Sequence, residues 1–137
     1  MLRYMLDTNL CIRVLRDRPQ GVKDRFNLNA DALCISTIIL TELLHGAAKS
    51  ARPEHNRNEV ERFAAKLDVL TFDAAAADHA ADIRAVLERS GNMIGGYDIL
   101  IAGHARSRGL VVITGNLEEF RRVDGLRSED WLAAEAN

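Results

Sequence analysis

The stretch that decides the fold is residues 97–114, which read YDILIAGHARSRGLVVIT. Its first part has apolar residues at helical spacing and predicts a helix over 97–108, ended by Gly109. Its second part, 110–114, is a short run of mostly β-branched and apolar residues, typical of a buried strand. A helix that leads directly into such a strand indicates a parallel sheet covered by helices.

The same alternation extends along the chain. We predict strands at 3–6, 32–36, 69–72 and 110–114, with a weaker one near 125–127. Helices are expected from near Thr8, and over 37–49, 54–66, 74–89 and 97–108, with Pro53 as a break before the second of these ranges. The fold class is therefore α/β, with a central, mainly parallel sheet of four to five strands. At 137 residues and 47% hydrophobic content, we expect one domain over 1–137.

Composition limits the classes of function. The formal net charge is -2, so the chain does not bind nucleic acid through overall basicity. Cys11 and Cys34 form no CxxC pair, which argues against zinc or a disulfide framework. The apolar stretches are short, and the chain begins with a strand-like segment rather than a signal peptide. We expect a soluble cytoplasmic protein with no membrane segment.

Acidic and amide side chains recur where predicted strands end. Asp7 follows the first strand, Glu42 lies in the helix after the second, and Asp98 opens the helix before the fourth. Asn116 and Glu119 follow the fourth strand. Because functional crevices of open α/β sheets lie beyond the carboxyl ends of the strands, these side chains are candidates for one shared site.

Each of these residues also has a simpler interpretation. Asp7 could only cap a helix, and Asp98 could only be a favourable charge in a first helical turn. Glu42 lies on the polar side of its helix and could be a solvated surface residue. Asn116 and Glu119 could be a cap and a first-turn acid. Their coincidence at one edge of the sheet favours a common site.

A carboxylate cluster indicates a metal. Close carboxylates repel each other, so they take up protons or bind a cation. An all-oxygen set without His or Cys favours Mg²⁺, with Mn²⁺ as a possible substitute. Mg²⁺ among carboxylates is typical of phosphodiester hydrolysis, in which a metal activates water.

An ordered set of motifs along nearly the whole chain carries a resemblance. It comprises MLDTN at 5–9, IS at 35–36, TEL at 41–43 with Gly46, YDILIAGHA at 97–105, LVVIT at 110–114, EF at 119–120 and EDW at 129–131. This set resembles the PIN-domain ribonucleases and, within them, the VapC toxins of type II toxin–antitoxin systems. The resemblance implies a PIN-like three-layer α/β/α sandwich.

The resemblance also implies roles for the candidate residues. Asp7, Glu42 and Asp98 would be the acidic metal ligands of a Mg²⁺-dependent endoribonuclease. The family's fourth position falls on Asn116, with Glu119 one helical turn further on, and the choice between them stays open. Three further residues are expected to hold the carboxylates by hydrogen bonds, with ordinary turn or capping roles as the alternative: Thr8, Asn9 and Thr114.

Substrate and partners follow from the same resemblance. We expect structured RNA, with tRNA preferred, and inhibition of translation. Four arginines are candidates for phosphate contacts, although a solvated helix surface is the simpler explanation: Arg13, Arg16, Arg106 and Arg108. The resemblance further implies a homodimer and a VapB-like antitoxin, with operator DNA bound only through the antitoxin.

Two other functions compete with this interpretation. Leu6-Asp7-Thr8-Asn9 loosely matches the nucleophile loop of haloacid dehalogenase-like phosphatases, but the second acid of that loop is Asn9 here. The other alternative is a catalytically degenerate PIN domain that acts as an interaction module. Its support is the replacement of the fourth acid by Asn116.

Overall fold

The computed structural model describes residues 1–18 and 20–131. The strands in this part of the chain are β1 (Tyr4–Leu6), β2 (Leu33–Ser36), β3 (Asp68–Leu70), β4 (Val111–Ile113) and β5 (Ser128–Glu129). The helices are α1 (Thr8–Arg16), α2 (Val22–Leu28), α3 (Thr37–Ala48), α4 (Pro53–Ala64), α5 (Ala74–Ser90), α6 (Gly96–Ser107) and α7 (Leu117–Phe120), with a 3₁₀ turn at Ala30–Ala32.

The five strands form one sheet in the order β3-β2-β1-β4-β5, and every neighbouring pair is parallel. With helices on both faces, this is the expected three-layer α/β/α sandwich, and the prediction of a mainly parallel sheet is confirmed. The chain extends from β1 through β2 to β3, then returns to place β4 on the other side of β1. The carboxyl ends of β1 and β4 therefore flank a topological switch point, where a crevice opens.

The central strands carry the core. All four residues of β2 and all three of β4 are buried, as the apolar runs predict for strands covered on both faces. The helices present apolar sides to them; α1, for example, buries Leu10, Cys11 and Val14. Cys11 and Cys34 are buried free thiols.

Gly103 allows α5 and α6 to pack closely. A Cβ at this position would lie 2.6 Å from the Cα and backbone nitrogen of Ala80 on α5, closer than real side chains allow. The close neighbour of Gly103 is therefore helix α5.

Some predicted elements differ from those observed. The weak strand predicted near 125–127 is present but lies further along the chain: Gly125 has φ +81° in a turn, and the strand follows at Ser128–Glu129. The predicted break between α3 and α4 is present, but Pro53 itself belongs to the first turn of α4, where its missing N–H costs nothing. Helix α2 was not predicted, since it is short and begins at a glycine without a side-chain cap.

Candidate active site

Asp7 lies at the switch point and is held from two directions. It caps α1 by accepting a hydrogen bond from the Leu10 N–H at 2.9 Å. Its other carboxylate oxygen accepts from the hydroxyl of Thr114, just beyond β4, at 2.5 Å. Thr114 in turn accepts from the Asn116 N–H at 2.8 Å. The simple capping role and the expected site position of Asp7 are therefore both observed.

Glu42 approaches this edge from α3. Thr8, the first residue of α1, donates its hydroxyl to Glu42 Oε1 at 2.8 Å. Because Thr8 directly follows Asp7, this bond brings the second carboxylate beside the first. Glu42 is half-buried rather than fully solvated.

Asp98 and Glu119 form the other half of the cluster. Burial raises the pKa of Asp98 to about 7, and contact with the Glu119 carboxyl and the charges of Asp7 and Glu42 add to the effect. Glu119 Oε2 is buried and has no hydrogen-bond partner among the described residues. Two carboxyl groups in contact share a hydrogen bond only when one is protonated, and with its pKa raised to about 7 Asp98 readily carries a proton near neutral pH.

The electrostatics of Asp7 follow the same pattern. Burial raises its pKa, the hydrogen bonds from Thr114 and Leu10 lower it, and the charges of Glu42 and Asp130 raise it again. Four of the candidate acids therefore lie near one another at one edge of the sheet: Asp7, Glu42, Asp98 and Glu119. The mutual repulsion of their charges is the feature that a cation would relieve.

The carboxylates do not form a ready-made metal cage. Within residues 1–18 and 20–131, no three His, Cys, Asp or Glu side chains are close enough to bind one ion together. Mg²⁺ usually keeps several waters and takes only one or two protein carboxylates directly. The donor set, with a partnerless buried oxygen on Glu119, fits an ion bound partly through water.

Comparison with known proteins shows the family. The sequence model of the PIN domain family matches residues 4–126 of this chain. Over 131 residues the chain is 53% identical to the tRNA(fMet)-specific endonuclease VapC of Shigella flexneri, covering 96% of this chain and 99% of that protein. The chain is a PIN-domain protein of the VapC family. It is also 46% identical to Ribonuclease VapC2 of Haemophilus influenzae, over 96% of this chain and 100% of that protein.

Solved structures of VapC proteins have the same fold. A chain of the DNA-bound VapBC complex from Salmonella typhimurium aligns with a TM-score of 0.91 and 53% identity, covering 96% of this chain and 99% of that one. A chain of the Rickettsia felis VapBC2 complex, bound to a promoter DNA fragment, aligns with a TM-score of 0.89 and 33% identity, over 95% and 99%. The haloacid dehalogenase-like alternative is therefore wrong.

Within this PIN domain the two candidates for the fourth acidic position separate clearly. Glu119 contacts Asp98 and is half-buried, whereas Asn116 is exposed and contributes its backbone N–H to Thr114. The geometry favours Glu119. Asn9 is exposed. It lines a surface groove that also includes Glu42.

Two of the four arginines lie in the last turn of α1, and the other two lie at the end of α6. Arg13 and Arg16 lie exposed in the last turn of α1, and Arg16 lines the groove that includes Glu42. Arg106 lies at the opposite end of α6 from Asp98, about 12 Å away along the helix axis. Arg108 follows it as the C-cap residue at that end of the helix. The structure does not bring Arg106 and Arg108 to the carboxylates.

Arg106 has a structural role instead of the expected phosphate contact. Its guanidinium donates to Asp82 Oδ2 at 2.8 Å and to His79 Nδ1 at 2.9 Å on α5. It also donates to the Asp124 carbonyl at 3.0 Å. These bonds occupy the donors that a phosphate would need, so this prediction is corrected.

Asp130 is the site neighbour that our sequence reasoning missed. It follows β5, is half-buried, and its charge acts on Asp7. A signal was present, because Asp130 follows the predicted position of a strand just as Asp7 does. The weak strand was placed too early, which hid the relationship.

Proposed function

We propose that this protein is a Mg²⁺-dependent endoribonuclease that cleaves tRNA, inhibits translation and acts as the toxin of a toxin–antitoxin pair. The observation that carries the proposal is the convergence of Asp7, Glu42, Asp98 and Glu119 at the switch point of the sheet. Support comes from relatives named as tRNA(fMet)-specific endonucleases and ribonucleases.

The site residues would hold the ion and one another. Asp7, Glu42 and Asp98 are the proposed ligands, with Glu119 in the fourth position. Thr114 and the Leu10 N–H orient Asp7, while Thr8 orients Glu42. Bound Mg²⁺ would lower the pKa of a water and offset charge on the phosphate, and Mn²⁺ would substitute for it.

A proton held by Asp98 gives the site its pH dependence. Because the pKa of Asp98 is raised to about 7, the cluster carries less negative charge below this pH and attracts a cation less strongly. Cation binding requires the carboxylates to be ionised. We therefore expect cleavage to increase as the pH rises through about 7.

The interaction-module alternative loses its main support. It rested on the replacement of the fourth acid by Asn116, but Glu119 provides a carboxylate in contact with Asp98. An assay of RNA cleavage separates the two functions, since an interaction module would bind partners without cleaving RNA.

We also propose a homodimer and a VapB-like antitoxin that alone contacts operator DNA. Support comes from the VapBC complexes with DNA among the structural relatives. A groove of about 860 Å³ adjoins Glu42, and it joins apolar side chains such as Ile12 and Leu15 to polar ones such as Lys49. It offers an antitoxin tail both apolar contact and access to the acids.

No helix in residues 1–18 and 20–131 is long and apolar enough to cross a membrane. We propose that the protein acts in the cytoplasm, where its tRNA substrate is found.

The test is cleavage of purified tRNA with Mg²⁺ or Mn²⁺, with and without a chelator. We expect cleavage by the wild type that stops in the chelator, and loss of cleavage in Asp7→Asn and Glu42→Gln with the fold retained. Arg57→Gln, on the exposed surface of α4, is the matched control and should cleave normally. Unchanged cleavage in Asp7→Asn would remove that residue from the site, and cleavage in the chelator would contradict metal dependence.

A further inference from the structure

A buried histidine links the helices that carry Glu42 and Asp98. His104 on α6 is fully buried, and its Nδ1 lies 2.8 Å from the hydroxyl oxygen of Ser36. Ser36 is also fully buried and caps α3 by accepting from the Ile38 N–H at 3.1 Å. Because that oxygen already accepts one bond, its O–H is available to donate to Nδ1 of the ring.

The ring of His104 is suited to accept this bond. Burial lowers the pKa of His104 and Arg108 lowers it further, while Asp73 acts in the opposite direction. The neutral ring has one nitrogen with a free lone pair. With Nδ1 accepting from Ser36, the proton of the ring lies on Nε2.

Packing alone does not require a histidine here. Nε2 is buried and meets no hydrogen-bond partner in residues 1–18 and 20–131, and such an unpaired group destabilises the folded state. The ring also meets Phe72 edge to face at a centroid distance of 5.5 Å, a contact that a phenylalanine could make equally well. An apolar ring would fill the space without the unpaired nitrogen, so the bond to Ser36 is the specific contribution of His104.

We propose that His104 is a positioning residue whose bond to Ser36 fixes α6 against the start of α3 and so sets the separation of Asp98 and Glu42. Both acids lie on these helices, Glu42 after Ser36 on α3 and Asp98 before His104 on α6. Because a helix of this length moves as a rigid body, a shift at the contact between His104 and Ser36 displaces the carboxylate that the helix carries. The inference rests on the proposed function, since the acids are taken to bind the ion together.

Three substitutions at His104 separate the bond from the packing. His104→Phe keeps the ring and removes the acceptor. His104→Asn places an oxygen near the position of Nδ1, whereas His104→Gln places it near Nε2. Ser36→Ala removes the same bond from the other partner. It replaces His104→Phe in the measurements if His104→Phe does not fold.

The measurements are Mn²⁺ affinity, kcat and KM for tRNA cleavage, and the free energy of unfolding in denaturant. For His104→Phe we expect kcat and Mn²⁺ affinity to fall by about tenfold, with KM nearly unchanged. His104→Asn should restore most of the loss and His104→Gln should not. Equal values of kcat and Mn²⁺ affinity in wild type and His104→Phe would overturn the proposal, as would losses that follow stability in all three variants.

A second measurement does not depend on catalysis. In metal-free protein, the pKa of Asp98 can be followed by ¹³C NMR of its carboxyl. If the bond sets the separation of the acids, this pKa moves in His104→Phe and returns in His104→Asn. A wild type that neither binds Mn²⁺ nor cleaves tRNA would refute the proposed function, whereas an Asp98 pKa that is the same in every variant would refute the positioning role.

Discussion

Asp98→Asn should make the metal-free protein more stable while removing its activity. The pKa of Asp98 is raised from 3.8 to about 7 by burial and by the neighbouring carboxyl groups. A change of this size corresponds to about 4 kcal/mol of destabilisation at alkaline pH. Because Asp98 is only half-buried, water reduces this penalty of burial and charge repulsion, and we expect its removal to raise the free energy of unfolding by about 1 to 2 kcal/mol.

One interaction opposes this gain. Asp98 lies in the first turn of α6, where its charge interacts favourably with the helix dipole by about 0.5 kcal/mol. The repulsion is larger, so the net effect of Asp98→Asn is a gain of about 1 kcal/mol at pH 8. The gain should be smaller at pH 5, where the folded wild type already carries a proton on Asp98.

The assay is urea denaturation in a chelator between pH 4 and pH 8. A raised pKa means that the folded state binds more protons, so wild-type stability falls as the pH rises from about 4 to about 7. The variant should show a flatter profile. Mg²⁺ at tenfold its dissociation constant should stabilise the wild type by about 1.4 kcal/mol and the variant much less. A variant that is less stable than wild type at pH 8, or that has the same pH profile, would refute the reasoning.

Three further predictions test packing and site assignment. Gly103→Ala should lower the free energy of unfolding by about 2 kcal/mol through overpacking. Gly46→Ala, in an open helical position, should raise it by about 1 kcal/mol. Equal effects of the two substitutions in denaturation would contradict the close contact between α5 and α6. Glu119→Gln should slow single-turnover cleavage by about tenfold or more, and Asn116→Ala should change it by less than about twofold; the reverse order would assign the fourth position to Asn116. Arg106→Gln should lower the free energy of unfolding by about 1 to 2 kcal/mol, and a raised KM for tRNA would restore its proposed phosphate contact.

The sequence was most informative where the signals are local. The buried strands were predicted because apolar runs bounded by turns need no long-range information. Asp7 and Asp98 were assigned to one edge because each lies beside a strand or helix end whose direction follows from the parallel topology. Thr8 and Thr114 were expected to bond the carboxylates, and their hydrogen bonds are present.

What could not be predicted depends on tertiary contacts. The two-residue strand β5 exists through its pairing with β4, so its position is not evident locally. The short helix α7 is oriented by burial of Phe120, which turns Glu119 toward Asp98 and leaves Asn116 exposed. Arg106 was a candidate for phosphate contact because it lies near the end of a predicted helix, and its partners on α5 could not be predicted because they are distant in sequence.

The bond from Thr114 to Asp7 joins residues 107 positions apart. During synthesis, β1 leaves the ribosome early, but its neighbour β4 and Thr114 emerge only about a hundred residues later. Until then the first acid has neither its adjoining strand nor its hydroxyl donor, and contacts of such high sequence separation form late. A nascent or truncated chain that stops before residue 111 lacks both partners of Asp7, so the proposed nuclease site requires synthesis to have passed β4 and Thr114.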